Sequence, residues 1–98
     1  MYLKVHRTPA GEIVALCDEE LLGRVLSGKK LHLDLEAHSG FYMGKKVLQP
    51  EAVKALRGAQ SINIVGKRSL AAAARAGFGT KKALLIAGVP HLQIYSIA

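Results

Sequence analysis

Residues 61–77 read S-I-N-I-V-G-K-R-S-L-A-A-A-A-R-A-G, and their grammar decides the fold class. Ile62, Ile64 and Val65 are β-branched, in a run too short for a helix of its own, so residues 61–65 are expected as a strand. Gly66 allows a sharp turn, and Ser69 to Ala76 favour a helix that Gly77 closes. A strand running straight into a helix is half of a strand–helix–strand unit, which places the chain in the α/β class. The helix opens on Lys67 and Arg68, where the macrodipole is already positive. Free backbone N–H groups beside two cations make an expected anion site over Gly66, Lys67, Arg68 and Ser69. A solvated helix end is the competing reading.

Outward from this stretch, residues 83–88 (A-L-L-I-A-G) read as a second buried strand, giving a parallel strand–helix–strand unit over residues 61–88. Gly66 and Gly88 would then leave the same edge of the sheet, where α/β folds bind ligands, and His91 would follow in the second loop. Residues 91–97 (H-L-Q-I-Y-S-I) alternate as a last, antiparallel strand. Upstream, 2–7 and 12–17 flank the turn T-P-A-G and form a β-hairpin. Asp18 is expected to cap a helix carrying Leu21, Leu22, Val25 and Leu26, stopped by Gly28. Residues 31–36 alternate, with Leu31, Leu33 and Leu35 inward. Pro50 starts another helix, with Ala52, Val53 and Leu56 inside, Lys54 and Arg57 outside, and Gly58 as its stop. The fold class is therefore α/β: a single compact domain over residues 1–98, with a mixed sheet, an N-terminal β-hairpin, about three short helices and the 61–88 unit.

Ninety-eight residues, half of them hydrophobic, suffice for one core and exclude a disordered tail. A lone cysteine, Cys17, excludes an internal disulfide and fits a reducing compartment. No apolar run is long enough to cross a membrane, the N-terminal residues do not read as a signal peptide, and a cytoplasmic location is expected. The net charge is +7, and it is unevenly placed. All acids lie between Glu12 and Glu51, whereas Lys54, Arg57, Lys67, Arg68, Arg75, Lys81 and Lys82 follow with no acid among them. A half-domain of one sign projects a field toward polyanions, of which RNA is the expected partner.

Short motifs narrow the chemistry. G-K-R-S at 66–69 is not a phosphate-binding nucleotide loop, and no nucleophile elbow is present. His32, Asp34, Glu36 and His38 share one strand face at i, i+2 spacing, too far apart to close on one ion, so a solvated edge is expected and no metal or cofactor is assigned. Phe41 and Tyr42 lie between glycines beside Lys45 and Lys46, a composition that can stack single-stranded bases, although core packing competes for both rings.

K-V-H-R (4–7), D-E-E-L-L-G (18–23), F-Y-M-G (41–44), N-I-V-G-K (63–67) and G-V-P-H-L-Q-I (88–94), in this order, resemble the small archaeal family catalogued as domain of unknown function 424. The likeness spans nearly the whole chain, and N-I-V-G and G-V-P-H are its most specific parts. It implies a compact, cytoplasmic archaeal protein and brings no established activity. From the residues themselves, the expected function is non-enzymatic RNA binding at the ribosome or translation machinery. The basic band Lys67, Arg68, Arg75, Lys81 and Lys82 would contact phosphates, with Phe41, Tyr42, Lys45, Lys46, Gly88 and His91 as further loop contacts. An enzyme binding a small anionic ligand at the 66–69 and 88–91 loops is the alternative, and a protein adaptor the third reading. The residues leave the oligomeric state open.

Overall fold

The computed structural model describes residues 1–96. Two seven-residue strands, β1 (Tyr2–Thr8) and β2 (Gly11–Cys17), form the expected hairpin with Tyr2 opposite Cys17. After a single 3-10 turn at Glu19–Leu21 come β3 (Val25–Ser27) and β4 (His32–Asp34), paired only with each other. A short helix α1 (Ser39–Tyr42) and the two-residue β5 (Lys45–Lys46) lead to α2 (Gln49–Arg57). The chain then follows β6 (Ser61–Val65), α3 (Lys67–Arg75), β7 (Leu84–Ile86) and β8 (Val89–Ile94).

The main sheet has the order β5-β1-β2-β6-β8-β7. Its parallel pair is β2–β6, with Ile13 opposite Ser61 and Cys17 opposite Val65, and every other pairing is antiparallel. The 61–88 unit needs correction on this point. β6 and β7 run in the same direction, but β8 lies between them, so they share no hydrogen bonds. The physical reason is the tight turn Ala87–Gly88, where both residues have positive φ (51° and 80°). Two left-handed residues match the twist of a hairpin and fold β8 back along β7, into the position beside β6.

β6 explains its central place: all five of its residues are buried. Ile62 and Ile64 face α2 and α3 in one core with Val14, Leu16, Leu56, Ala72, Ala73 and Leu92. Val65 faces the other way, with Ala15, Cys17, Leu21, Leu26, Leu35, Tyr42 and Ile86. That second core is roofed by the β3–β4 hairpin and α1, giving three layers.

The helix expected from Asp18 is absent beyond its first turn. Gly23 takes φ +88°, which ends the turn, and Val25–Ser27 pair with His32–Asp34 instead. Leu21 and Leu26 are still buried, but Val25 points to solvent. On β4 the inward row holds only in part: Leu35 is fully buried, Leu33 half-buried and Leu31 exposed. On α3 the inner face is Ser69, Ala72 and Ala73, while Ala74, and Gly77 just past its end, are exposed. The last strand ends at Ile94, and Ile97, expected within it, lies outside the described residues.

Candidate nucleic-acid interface

The carboxyl ends of β2 and β6 lie side by side, which brings Asp18 to the start of α3. Its Oδ1 accepts hydrogen bonds from the Ser69 amide (2.8 Å) and the Ser69 hydroxyl (2.7 Å), and its Oδ2 accepts from the Arg68 amide (3.1 Å). The anion expected at this helix start is therefore the chain's own carboxylate, supplied from fifty residues upstream. Gly66 makes the approach possible. It holds φ +109°, and a Cβ there would overlap the Asp18 carboxyl. Gly66 and Ser69 are buried in this contact, and the Arg68 and Ser69 amides of the expected phosphate seat over 66–69 are already bonded to Asp18. Lys67 and Arg68 remain exposed.

The loops expected to converge do so by a different route. The Gly66 amide donates to the Pro90 carbonyl (2.9 Å), and a cavity of about 370 Å³ is lined by Asp18, Glu20, Lys67, Arg68, Gly88 and Pro90. Two carboxylates line it beside the two cations, and Arg68 lies 3.9 Å from Glu20, so the cavity is poorly matched to an anion. His91 is not in a loop. It sits inside β8 opposite Val65 and Leu84, is buried, and its Nδ1 has no hydrogen-bond partner among the described residues. Burial pushes its pKa below the usual 6.5.

Phe41, Tyr42, Lys45 and Lys46 are not brought together. Phe41 stacks on His6 (4.2 Å between ring centres) and Tyr42 is buried with its hydroxyl on Asn63 (2.7 Å). Lys45 instead pairs with Glu51 and Lys46 with Glu19, both at 2.7 Å. The Lys46 ammonium holds the Glu19 carboxyl below the usual carboxylate range.

Several of the cations that stay unmatched lie on the helical layer, with Arg24, Lys29 and Lys30 unmatched elsewhere among the described residues. Lys54 and Arg57 on α2, with Lys67 and Arg75 on α3, are exposed, and among the described residues no carboxylate lies within 4 Å of any of them. Arg57 and Arg75 line one groove between the helices, of about 410 Å³, together with Gln49, Pro50 and Val53. A second groove at the helix starts shares Gln49 and brings in Lys67 and Arg68. Lys67 and Arg75 are separated by eight residues of helix, about 12 Å. Lys81 and Lys82 are exposed in the turn leading to β7, toward the Arg75 end of α3. Lys54 and Arg57 were expected on the outer face of α2 and in the basic half but were assigned no contact; their i, i+3 spacing was the available signal.

Fold and surface define a small α/β protein, with a mixed sheet and a basic helical layer on one side. The chain belongs to the family described as Protein of unknown function (DUF424), which matches residues 6–97. A solved structure, "Crystal structure of an uncharacterized conserved protein from Methanopyrus kandleri", is similar with a TM-score of 0.83 and 32% sequence identity, covering 98% of this chain and 90% of that one. No curated protein matches. Among the described residues no helix is long and apolar enough to cross a membrane.

Proposed function

We propose that the protein binds structured RNA through the outer faces of α2 and α3, in the cytoplasm and with no chemistry of its own, and that ribosomal RNA is the partner. The observation that carries this reading is the convergence of Arg57 and Arg75 on one groove with no carboxylate within 4 Å of either among the described residues. Two guanidinium groups sharing a groove repel each other unless an anion lies between them, and Arg is suited to bidentate phosphate contact. None of the residues lining either interhelical groove is aromatic, so contact there is to the backbone and not by base stacking.

The test is sedimentation of the native protein with ribosomal particles across a salt series. If Lys54, Arg57, Lys67 and Arg75 each neutralise one phosphate, the log–log slope of affinity against salt is about −3 to −4. The double variant Arg57→Glu with Arg75→Glu, changed only at exposed positions, is expected to lose RNA association while keeping its melting temperature. A flat salt response, or full binding by that variant, overturns the proposal.

A further inference from the structure

On the opposite side of the sheet, the roof formed by β3, β4 and α1 stops short, and a cavity of about 290 Å³ opens over β6 and β8. Its floor is the cross-strand pair Asn63 and Gln93, its walls include the rings of Tyr42, Phe41 and Tyr95, and His38 stands at its rim. We propose that this cavity binds a single planar nitrogen heterocycle, an unpaired nucleobase. The site is separate from the α2–α3 face and does not rest on it.

The argument begins with Asn63, a carboxamide set in the most buried strand of the fold and only 4% exposed. Its Oδ1 accepts from the Tyr42 hydroxyl (2.7 Å) and its Nδ2 donates to the Tyr95 hydroxyl (3.1 Å). A carboxamide has two acceptor lone pairs and two N–H donors. The two phenols use one of each, so the amide that lines the cavity has one lone pair and one N–H beyond its bonds to them. This holds whichever way the amide is turned. Adjacent donor and acceptor on a fixed amide match the edge of a nucleobase, as Asn does with adenine.

The surroundings are fixed in advance. The Phe41 carbonyl accepts from His6 Nε2 (2.7 Å) while the two rings stack, and the Gly40 carbonyl accepts from the Lys4 ammonium (2.6 Å), so α1 is tied to β1. Tyr95, half exposed at the cavity, supplies a ring face at low entropic cost. Gln93 adds a second, exposed amide that can adjust to different bases. The volume lies just under the roughly 300 Å³ at which ligand pockets begin, which suits one ring system and not a strand.

The test titrates the full chain with adenosine, guanosine, cytidine and uridine, and with a short single-stranded oligonucleotide, following backbone amide shifts by NMR. At least one probe is expected to saturate with shifts centred on Asn63, Gln93 and Tyr95. Tyr95→Leu, at an exposed position, is expected to weaken binding about tenfold or more through lost stacking, and Gln93→Ala to change the preference among bases. Equal affinity for nucleoside and oligonucleotide identifies a free nucleoside or nucleotide as the ligand, and tighter oligonucleotide binding identifies an unpaired base in RNA. Arg57→Glu with Arg75→Glu should leave nucleoside binding intact, and Tyr95→Leu should leave ribosome sedimentation intact, so the two readings fail separately. No saturable shift with any probe, or binding unaffected by both Tyr95→Leu and Gln93→Ala, overturns the inference.

Discussion

Asp18 does more for the molecule than any other acid. Its carboxylate satisfies two amides and a hydroxyl at the start of α3, and so ties the end of β2 to the helix that follows its parallel neighbour β6. Asp18→Ala strands all three donors in a buried place, so a loss of about 2 kcal/mol in denaturant unfolding is expected, with Asp18→Asn losing less. Gly66→Ala should be at least as damaging, because the added methyl meets that carboxyl at a backbone angle already unfavourable for alanine. His91 offers a pH test. Its folded-state pKa is lowered by burial, so the neutral ring is the native form and the unfolded chain takes up the proton first. Stability from this group is complete above about pH 6.5, its ordinary value, and falls as pH drops toward the depressed native pKa, by at most about 1.4 kcal/mol per pH unit. Unfolding free energies at pH 7 and pH 5 should therefore differ less in His91→Phe than in the parent. A difference unchanged by that substitution would assign the acid sensitivity to other groups. Cys17 plays no such part: burial raises its thiol to about 12, leaving it protonated and unreactive.

At the scale of elements, what could be read from sequence was what depends on local pattern. The T-P-A-G turn located the β1–β2 hairpin, β-branched residues located β6, and Pro50 with Gly58 bracketed α2. Pairing between distant segments could not be read that way. Asp18 looks the same whether it caps the helix that follows it or one fifty residues later, and the first alternative won only in sequence. V-L-S at 25–27 carries a helical stripe with Leu21 and Leu22, yet a hairpin with β4 buries Leu26 equally well and Gly23 tips the choice. For the site, the basic half of the chain was legible as charge. The burial of Ser69 and the ion pairs of Lys45 and Lys46 were not, since each depends on a partner far away in sequence. Asn63 was the overlooked signal, a polar residue at the centre of I-N-I-V. The layered arrangement predicts unequal protection. Among the described residues the strands β3 and β4 pair only with each other, whereas β6 is paired on both sides. In hydrogen exchange, amides of Ile62 and Ile64 should be the slowest in the chain, and those of Leu26 and Leu33 should open well below the global unfolding free energy. Uniform protection would contradict that order. Leu35→Ala, emptying the roof at a fully buried position, should cost about 2–5 kcal/mol.

Taken as a whole, the molecule separates its two chemical surfaces by the thickness of one sheet: cations over α2 and α3, aromatic and amide groups beneath β6 and β8. Charge reversal on one side is therefore expected to leave the other unaltered, which a paired titration of both double and single variants checks directly. The parallel pair at the centre has a further consequence, for the order in which the fold is made. β2 ends at Cys17 and its neighbour begins at Ser61, and β6 in turn is flanked by β8, whose residues 89–94 are nearly the last of the chain. The β1–β2, β3–β4 and β7–β8 hairpins are local and can close early. Joining β6 to β2, and the β7–β8 hairpin to β6, must wait for long loops to be searched, and such non-local topologies are slow to fold. During synthesis, the edge of β2 stays unpaired until β6 has left the ribosome, a window in which a chaperone or an aggregate competes for it.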